Sequence, residues 1–578
     1  MVNLTINGME VQAKEGATVL ETCRELGIRI PTLCHLHIPE FGIDNNVSAC
    51  RVCMVEIDGM RNLQPSCSTK VSEGMKIRTN SARAVNARRT VVELMLSNHP
   101  KECLTCARSG NCELQSLAAE LGVRDIPYQG RIVDHASDYS SYSIVRNPDK
   151  CILCRRCETV CNHVQTVGAY SAVSRGFETI IGTPFNLPVN MTNCTFCGQC
   201  AAVCPTAALT EVDDTQKVWK DLQNPDKFVI VNTAPAVRVA LGEEFGMEAG
   251  TRVTGKMVSA LRLLGFDKVM DTNFAADMTI MEEGTELLQR LESGEKLPLL
   301  TSCCPAWIRF IEFEFPELLH LPSTARSPHE MFGAVAKTFL AEKLGIEPEK
   351  IVVVSIMPCT AKKTEAKRPE LTTNGMPSVD HVLTTRELAR MIRTAGIQFA
   401  SLPDGKFDSP MGESTGAADI FGVTGGVMEA ALRTAYVKLT NEKLEDVNFT
   451  QVRGLEGLRE ATVSINGKEI RIAIANGLKN ARYLMNQIQA GECPYQAIEI
   501  MACPGGCVDG GGQPYHHGDI EIIRKRAAGL YAEDESKTLR CSHENPDIIR
   551  FYDEFMEGGP CGIKAHDLLH THFEAKHL

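Results

Sequence analysis

The sequence predicts a multidomain chain, with small α+β domains in its N-terminal third and a larger α/β domain with parallel sheets behind them. Three observations carry this. The chain has 578 residues, more than one hydrophobic core can serve. Its 24 cysteines stand in runs at short fixed spacings instead of being scattered. From Phe228 onward, short apolar runs alternate with helix-like segments, the pattern of strand–helix–strand units.

Composition narrows the class. With 43% hydrophobic and 23% charged residues the chain is globular. A formal charge of −12 argues against nucleic acid as a partner. No apolar run approaches bilayer length, so no membrane is expected. The start, Met-Val-Asn-Leu-Thr-Ile-Asn-Gly, lacks a secretory pattern, and a cytoplasmic location follows as the expectation. Clustered cysteines in a reducing compartment hold metal more often than disulfides.

Residues 1–80 form the first predicted domain. Asn7-Gly8 between Leu4-Thr-Ile6 and Met9-Glu-Val11 signals a hairpin, and Thr18 with Glu21 signals a capped helix ending near Gly27. Cys34, Cys50-x-x-Cys53 and Cys67 then make a four-thiolate set suited to a 2Fe–2S cluster, with zinc as the other reading. They resemble the plant-type ferredoxin domain, ubiquitin-like in fold, found at the front of large hydrogenases and complex I-type subunits. The Cys34–Cys50 loop is longer than that family leads one to expect. Cys23 falls on the helix and reads as core.

In residues 81–125, Ser81 caps a predicted helix to about Ser97, with Val85, Val92 and Met95 on one side. His99, Cys103, Cys106 and Cys112 follow, a spacing that suits structural zinc as well as a cluster. They resemble the one-His/three-Cys 4Fe–4S module of the same families, which implies a cluster with His99 as its nitrogen ligand. Residues 126–209 carry an internal repeat, Cys151-x-x-Cys154-x-x-Cys157-x-x-x-Cys161 and Cys194-x-x-Cys197-x-x-Cys200-x-x-x-Cys204-Pro205. This is the bacterial two-cluster ferredoxin pattern, in which each run's fourth cysteine ligates the other cluster. One 4Fe–4S cluster takes Cys151, Cys154, Cys157 and Cys204; the second takes Cys194, Cys197, Cys200 and Cys161.

Residues 210–578 begin with a polar junction, Asp213 to Asp226, and the strand Phe228–Val231. Asn466-Gly467 marks a hairpin and Ile470–Ala475 a strand, while Glu283–Leu291 and Thr385–Thr394 read as helices. Three apolar runs, Leu297–Leu300, Ile351–Ile356 and Ala497–Met501, read as strands of a parallel sheet. Each leads into a cysteine-bearing segment: Thr301-Ser-Cys-Cys-Pro-Ala-Trp307, Met357-Pro-Cys-Thr-Ala-Lys-Lys-Thr-Glu365, and Glu499-Ile-Met-Ala-Cys-Pro-Gly-Gly-Cys507 with its sequel to Pro514. Sites in open α/β sheets form at the carboxyl ends of strands, so Cys303, Cys304, Cys359, Cys503 and Cys507 are expected in one place.

These three segments, in this order, resemble the signatures of the FeFe hydrogenases, large monomeric type with accessory iron–sulfur domains. The resemblance covers nearly the whole chain and implies a two-lobed catalytic domain that interconverts protons and H2. It implies that Cys304, Cys359, Cys503 and Cys507 hold a 4Fe–4S cube, with Cys507 bridging to a two-iron unit carrying CO, cyanide and a dithiolate amine. With this H-cluster come one 2Fe–2S and three accessory 4Fe–4S clusters. Ala234, Pro235, Met357 and Met501 would line the cofactor, and Lys362, paired with Glu365 or a neighbour, would donate to a cyanide. Gly505, Gly506 and Gly510–Gly512 would let the backbone approach it. Cys303 becomes the proton carrier, its thiol tuned toward neutral.

The implied proton path is Cys303, Glu283, Ser323, Glu286 and Arg290. By pattern alone, Glu283, Glu286 and Arg290 are one face of a solvated helix; only the resemblance reads them otherwise. Ala236, Ala361 and His329 depart from the Ser, Ser and Gln frequent at those places. Cys493, Cys541 and Cys561 have no assigned role, although His543, His566, His570 and His572 nearby would allow a small metal site. Arg524–Tyr531 and Ser542–Pro546 resemble the family's C-terminal tail.

Ferredoxin clusters sit at roughly −400 mV, so the N-terminal third reads as a wire for low-potential electrons. The implied partners are ferredoxin or flavodoxin and the maturation proteins that build the two-iron unit, on a monomer. Two other readings stand beside this: a subunit of a larger electron-transfer complex, and a hydrogenase-like scaffold or sensor. The three C-terminal motifs argue against the first, and Cys303, Lys362, Met357 and Met501 together argue against the second.

Overall fold

The computed structural model describes all residues except 46, 47, 133, 445, 466 and 578. At the N-terminus Val2–Ile6 and Met9–Ala13 pair antiparallel across Asn7-Gly8. Both turn residues take positive φ, 50° and 85°, as a tight two-residue hairpin requires. Val2–Ile6 also pairs in parallel with Lys76–Arg78, and Met54–Ile57 and Gln64–Pro65 complete a five-stranded sheet. The Thr18/Glu21 capping box starts the helix Val19–Glu25, which packs Leu20 and Cys23 onto Ile6 and Val55. The long loop after Cys34 contains a short pairing of His37–Ile38 with Ile43–Asp44. Its Ile38, Phe41 and Ile43 join Val160, Val508 and Ile523 in one apolar cluster, so this loop fastens the N-terminal sheet to the rest of the molecule.

Ser81 caps the helix Ala82–Ser97 by accepting from the Ala84 N–H. Its buried face is Ala84, Arg88 and Val92, and Val85 is only half-buried. The difference from the expected face comes from Arg88, which reaches back to donate to the Met54 carbonyl at 3.0 and 2.7 Å. The repeat region is built on two antiparallel pairs, Ile144–Arg146 with Leu209–Glu211 and Ser171–Val173 with Ile180–Gly182. The expected polar junction is instead the helix Thr215–Leu222, and Asp214 before it is buried against Lys363 at 2.8 Å. Charges that read as a polar junction form a buried ion pair within residues 210–578.

Two four-stranded sheets carry the C-terminal half. The first runs Lys268–Asp271, Phe228–Thr233, Ile351–Met357, His381–Thr384, all parallel. The second runs Leu299–Leu300, Ala497–Met501, Lys468–Asn476, Leu458–Ile465, parallel except for its last pair. The three cysteine-bearing turns therefore leave two sheets and not one. The run Leu297–Leu300 supplies only two strand residues, since Pro298 has no N–H for a ladder. Of the Asn466-Gly467 turn, Asn466 lies outside the described residues. The predicted helix Glu283–Leu291 is the second half of Thr272–Ser293, and Thr385–Thr394 is a helix over that range. Among the described residues no helix is long and apolar enough to cross a membrane.

Candidate metal centres and active site

The turns after Thr233, Leu300, Met357 and Met501 meet in one cavity between the two sheets, at the carboxyl ends of their strands. Ala234, Pro235, Cys303, Cys304, Met357, Cys359, Lys362, Met501, Cys503 and Cys507 all line it. So do Ala236 and His329, whereas Ala361 is buried behind the wall. The segment Pro235–Val239 is held in place by Arg238, which is buried and donates to Asp271 at 2.7 Å and Asp419 at 2.9 Å. The cavity holds about 90 Å³, several times the ~10–15 Å³ that one water needs.

Its walls fit an iron–sulfur cube. Cys304, Cys359, Cys503 and Cys507 place four sulfurs around an apolar space, the donor set such a cube takes. Without metal this set opposes its own ionisation: burial pushes Cys359 up to about 12 and raises Cys304 and Cys503 as well. Cys304 sits at the N-terminus of the helix Pro305–Glu314, and its Sγ accepts the Ala502 N–H at 3.4 Å. The glycines of the third motif, of which Gly506 and Gly510 line the cavity, also admit a second close approach. A Cβ on Gly506 would lie 2.6 Å from the Thr424 nitrogen, and one on Gly511 2.6 Å from the Cys197 carbonyl oxygen. They let protein backbone, not only a cofactor, come close.

Three of the four accessory sets also assemble. Cys151, Cys154, Cys157 and Cys204 line one small cavity, and Cys161, Cys194, Cys197 and Cys200 line another, with the crossed membership of the two-cluster pattern. Cys34, Cys50, Cys53 and Cys67 come together at the N-terminal sheet, with the Cys53 and Cys67 sulfurs 3.3 Å apart. Of the fourth set, Cys106 is near enough to Cys112 for their charges to interact, while Cys103 is exposed. His99 is half-buried, its Nδ1 has no hydrogen-bond partner among the described residues, and desolvation holds its imidazole down to about 4, in the neutral form a ligand needs.

Short contacts join the sets. Asn45 Nδ2 donates to the Cys34 carbonyl at 2.6 Å and to the Cys154 carbonyl at 3.0 Å. Arg108 donates to the Cys204 carbonyl at 3.0 Å, and the Cys112 thiol donates to the neighbouring Pro205 carbonyl at 3.6 Å. Cys197 is close enough to Cys503 for their charges to interact, and Thr360 donates to the Phe196 carbonyl at 2.8 Å across the same seam.

The face Glu283, Glu286, Arg290 is not solvated. Glu283 and Arg290 are buried, and Arg290 donates to Glu286 at 2.5 Å and to the Leu321 carbonyl at 2.6 Å. Ser323 Oγ donates to Glu286 at 2.7 Å. Glu283 accepts instead from Ser302 Oγ at 3.0 Å, a residue that sequence reasoning passed over although it adjoins Cys303. Burial raises the Glu283 carboxyl to about 7. Burial and then the Glu283 carboxyl also push the Cys303 thiol well above its usual range. Lys362 Nζ donates to the Cys303 carbonyl at 3.1 Å and to Glu365 at 2.7 Å.

Of the unassigned cysteines, Cys541 is buried and Cys493 half-buried. Cys561 stands beside Glu282 and His570, His570 Nε2 lying 3.0 Å from Glu282. His543 meets Thr434, His566 lies against His570, and His572 is exposed. Asn45, mid-loop and outside every motif, gave no signal in the sequence.

Comparison with known proteins agrees along the whole chain. Residues 227–511 match "Iron only hydrogenase large subunit, C-terminal domain" and 520–576 match "Iron hydrogenase small subunit". Residues 1–82 match a 2Fe-2S iron-sulfur cluster binding domain, 88–127 the NADH-ubiquinone oxidoreductase-G iron-sulfur binding region, and 140–208 a 4Fe-4S dicluster domain. The NADP-reducing hydrogenase subunit HndD of Solidesulfovibrio fructosivorans is 56% identical over 99% of both chains. Iron hydrogenase 1 of Clostridium pasteurianum is 41% identical, covering 99% of this chain and 100% of its own. A solved FeFe-hydrogenase of Chlamydomonas reinhardtii is 44% identical with a TM-score of 0.57, covering 64% of this chain and all of its own. By its motifs, its cavity and these relatives, the chain belongs to the FeFe hydrogenases.

Proposed function

We propose that this chain reversibly reduces two protons to H2 at the cavity ringed by Cys304, Cys359, Cys503 and Cys507. The reading rests on one observation: four sulfur donors, the Cys303 thiol and the Lys362 ammonium share a single apolar enclosure at the end of a buried acid chain. The H-cluster, a cube held by these four cysteines and joined through Cys507 to a two-iron unit, would supply the redox chemistry when bound. The protein's own groups do the rest. Met357, Met501, Ala234 and Pro235 shape the wall and exclude water. Lys362, oriented by Glu365, presents a buried positive charge to anionic ligands. Cys303 holds the proton nearest the cavity; Glu283, with Ser302, resupplies it; Ser323, Glu286 and Arg290 lead inward to Glu283.

Electrons would enter through one 2Fe–2S cluster at Cys34, Cys50, Cys53 and Cys67 and three 4Fe–4S clusters. The three are the set of His99, Cys103, Cys106 and Cys112 and the two crossed sets of residues 126–209. Residues 1–80, 81–125, 126–209 and 210–578 act as four functional units. The donor on the primary reading is a reduced ferredoxin or flavodoxin. A second reading, a subunit exchanging electrons with a nicotinamide-oxidising partner, is favoured by the near full-length likeness to a subunit named NADP-reducing.

An infrared spectrum of anaerobically matured protein tests the site: stretches of iron-bound CO and cyanide are expected. Their absence from protein that carries its other clusters would leave an electron carrier or scaffold. H2 evolution driven by reduced ferredoxin, set against NADPH, separates the two donors.

A further inference from the structure

The helix Pro328–Val335 places two titratable residues at the cavity, His329 in its wall and Glu330 behind it. Glu330 is completely buried, and neither of its carboxyl oxygens has a hydrogen-bond partner among the described residues. It lies with His329 and Glu365 in one buried group, His329 Nε2 being 2.7 Å from Glu365 and 3.3 Å from Glu330. A buried carboxyl without donors is costly as an anion, and far less so as an acid.

The charges around it do not offset an anion. Lys362 is 2.7 Å from Glu365, so that ammonium and that carboxylate balance each other. Arg326 faces Glu330 from the chain just before the helix, but its guanidinium is committed to the His570 and Thr372 carbonyls and Ser378. Lys367 donates to the Asp380 carbonyl. The long helix Thr272–Ser293, packed on the same segment, presents Thr279 to Met331. Burial and the neighbouring Glu365 carboxylate outweigh the pull of Lys362, Arg326 and Lys367 on a Glu330 anion, so the two carboxyls cannot both ionise at low cost. The proton falls on Glu330, which lacks donors, and Glu365 stays ionised between Lys362 and His329.

His329 links this acid to the cavity. Its ring lines the cavity wall, its Nδ1 has no protein partner, and burial keeps it neutral, its imidazole pulled down to about 4. With the Glu365 carboxylate 2.7 Å away, Nε2 of this neutral ring carries the hydrogen.

We propose that Glu330 is a carboxylic acid in the resting protein and that Glu330, His329 and Glu365 hold one exchangeable proton against the cavity wall, a second proton store besides Glu283. Release from Glu330 breaks its O–H bond as His329 Nε2 takes that proton and hands its own to Glu365, so one O–H bond forms as another breaks, the imidazole stays neutral, and reloading reverses this. The use of the store in H2 formation rests on the proton-reducing reading; the store itself does not.

The test is infrared spectroscopy of the full chain carrying its iron–sulfur clusters, with and without the two-iron unit, in ¹H₂O and ²H₂O. Wild type should show a carboxylic-acid C=O band that shifts in ²H₂O and bleaches with a midpoint well above the ordinary carboxylate range. Glu330→Gln should lose that band, and His329→Gln should keep it at a moved frequency. If Glu330→Gln retains its iron and the spectrum in this region is unchanged, the store does not exist. If that variant loses its clusters, His329→Gln decides, and an unmoved band overturns the proposal. A band that behaves as expected in a protein without H2 turnover would sustain the store while sinking the hydrogenase reading.

Discussion

Cys303 lines the cavity but is not needed among four cube ligands, and its carbonyl is gripped by Lys362 at 3.1 Å. That combination suits a proton carrier whose backbone is held still. Cys303→Ala should keep its iron content and lose about 10²–10⁴-fold in turnover, the usual yield of a positioned acid; iron analysis beside an H2 assay checks this, and normal turnover rejects it. Glu283 carries a pH signature. Its carboxyl is raised to about 7, so the folded state favours the acid. The contribution is fully present below the unfolded value near 4.3 and is lost as pH rises through about 7, an effect of about 3 kcal/mol for this buried group. Glu283→Gln should therefore gain stability over wild type progressively across that window, read from anaerobic denaturation midpoints; a pH-independent difference would contradict it.

At the scale of elements, the site depends on seams more than on single elements. The turn after Met501 packs on the Phe196–Gly198 turn so closely that residue 511 has no room for a side chain: its Cβ would sit 2.6 Å from the Cys197 oxygen. Backbone cannot yield as a flexible side chain would. Gly511→Ala should push apart the turn bearing Cys197 and the loop bearing Cys503 and Cys507. Oxidation of the reduced accessory clusters by protons should slow several-fold, with all clusters still present. Stopped-flow optical measurement reads it, and an unaltered rate would mean that electrons do not cross here.

Across the whole molecule, the N-terminal domain is joined by the loop after Cys34 and by one buried amide. Asn45 donates to the Cys34 and Cys154 carbonyls and accepts from Thr159 Oγ at 2.5 Å. Asn45→Leu removes three hydrogen bonds and strands two carbonyls and a hydroxyl, each costing about 1–3 kcal/mol. The first domain should become protease-sensitive and its 2Fe–2S cluster slow to equilibrate with the rest, while the catalytic half remains intact. Proteolysis that is identical to wild type would show the apolar contacts of Ile38, Phe41 and Ile43 to be sufficient.

Much of the chemistry was legible in the sequence because it is chain-local. Two cysteines three apart on one turn already aim two sulfurs at a common point, so the three-cysteine core of each repeat and the hairpin at Asn7-Gly8 could be read from spacing alone, while the crossed fourth ligand came from the known two-cluster pattern. The three long motifs identified the family for the same reason. What spacing does not contain is which turn meets which. The division of the cysteine-bearing strands between two sheets, the meeting of Cys197 with Cys503, the service of Ser302 to Glu283 and the tie made by Asn45 all join residues far apart in sequence. Burial is likewise a sum over distant neighbours: a Glu283–Arg290 face that reads as solvated is enclosed, and Asp214, read as linker, is paired inside. The charge state of Glu330 depends on donors that are absent around it, and only the packed structure determines which groups those are.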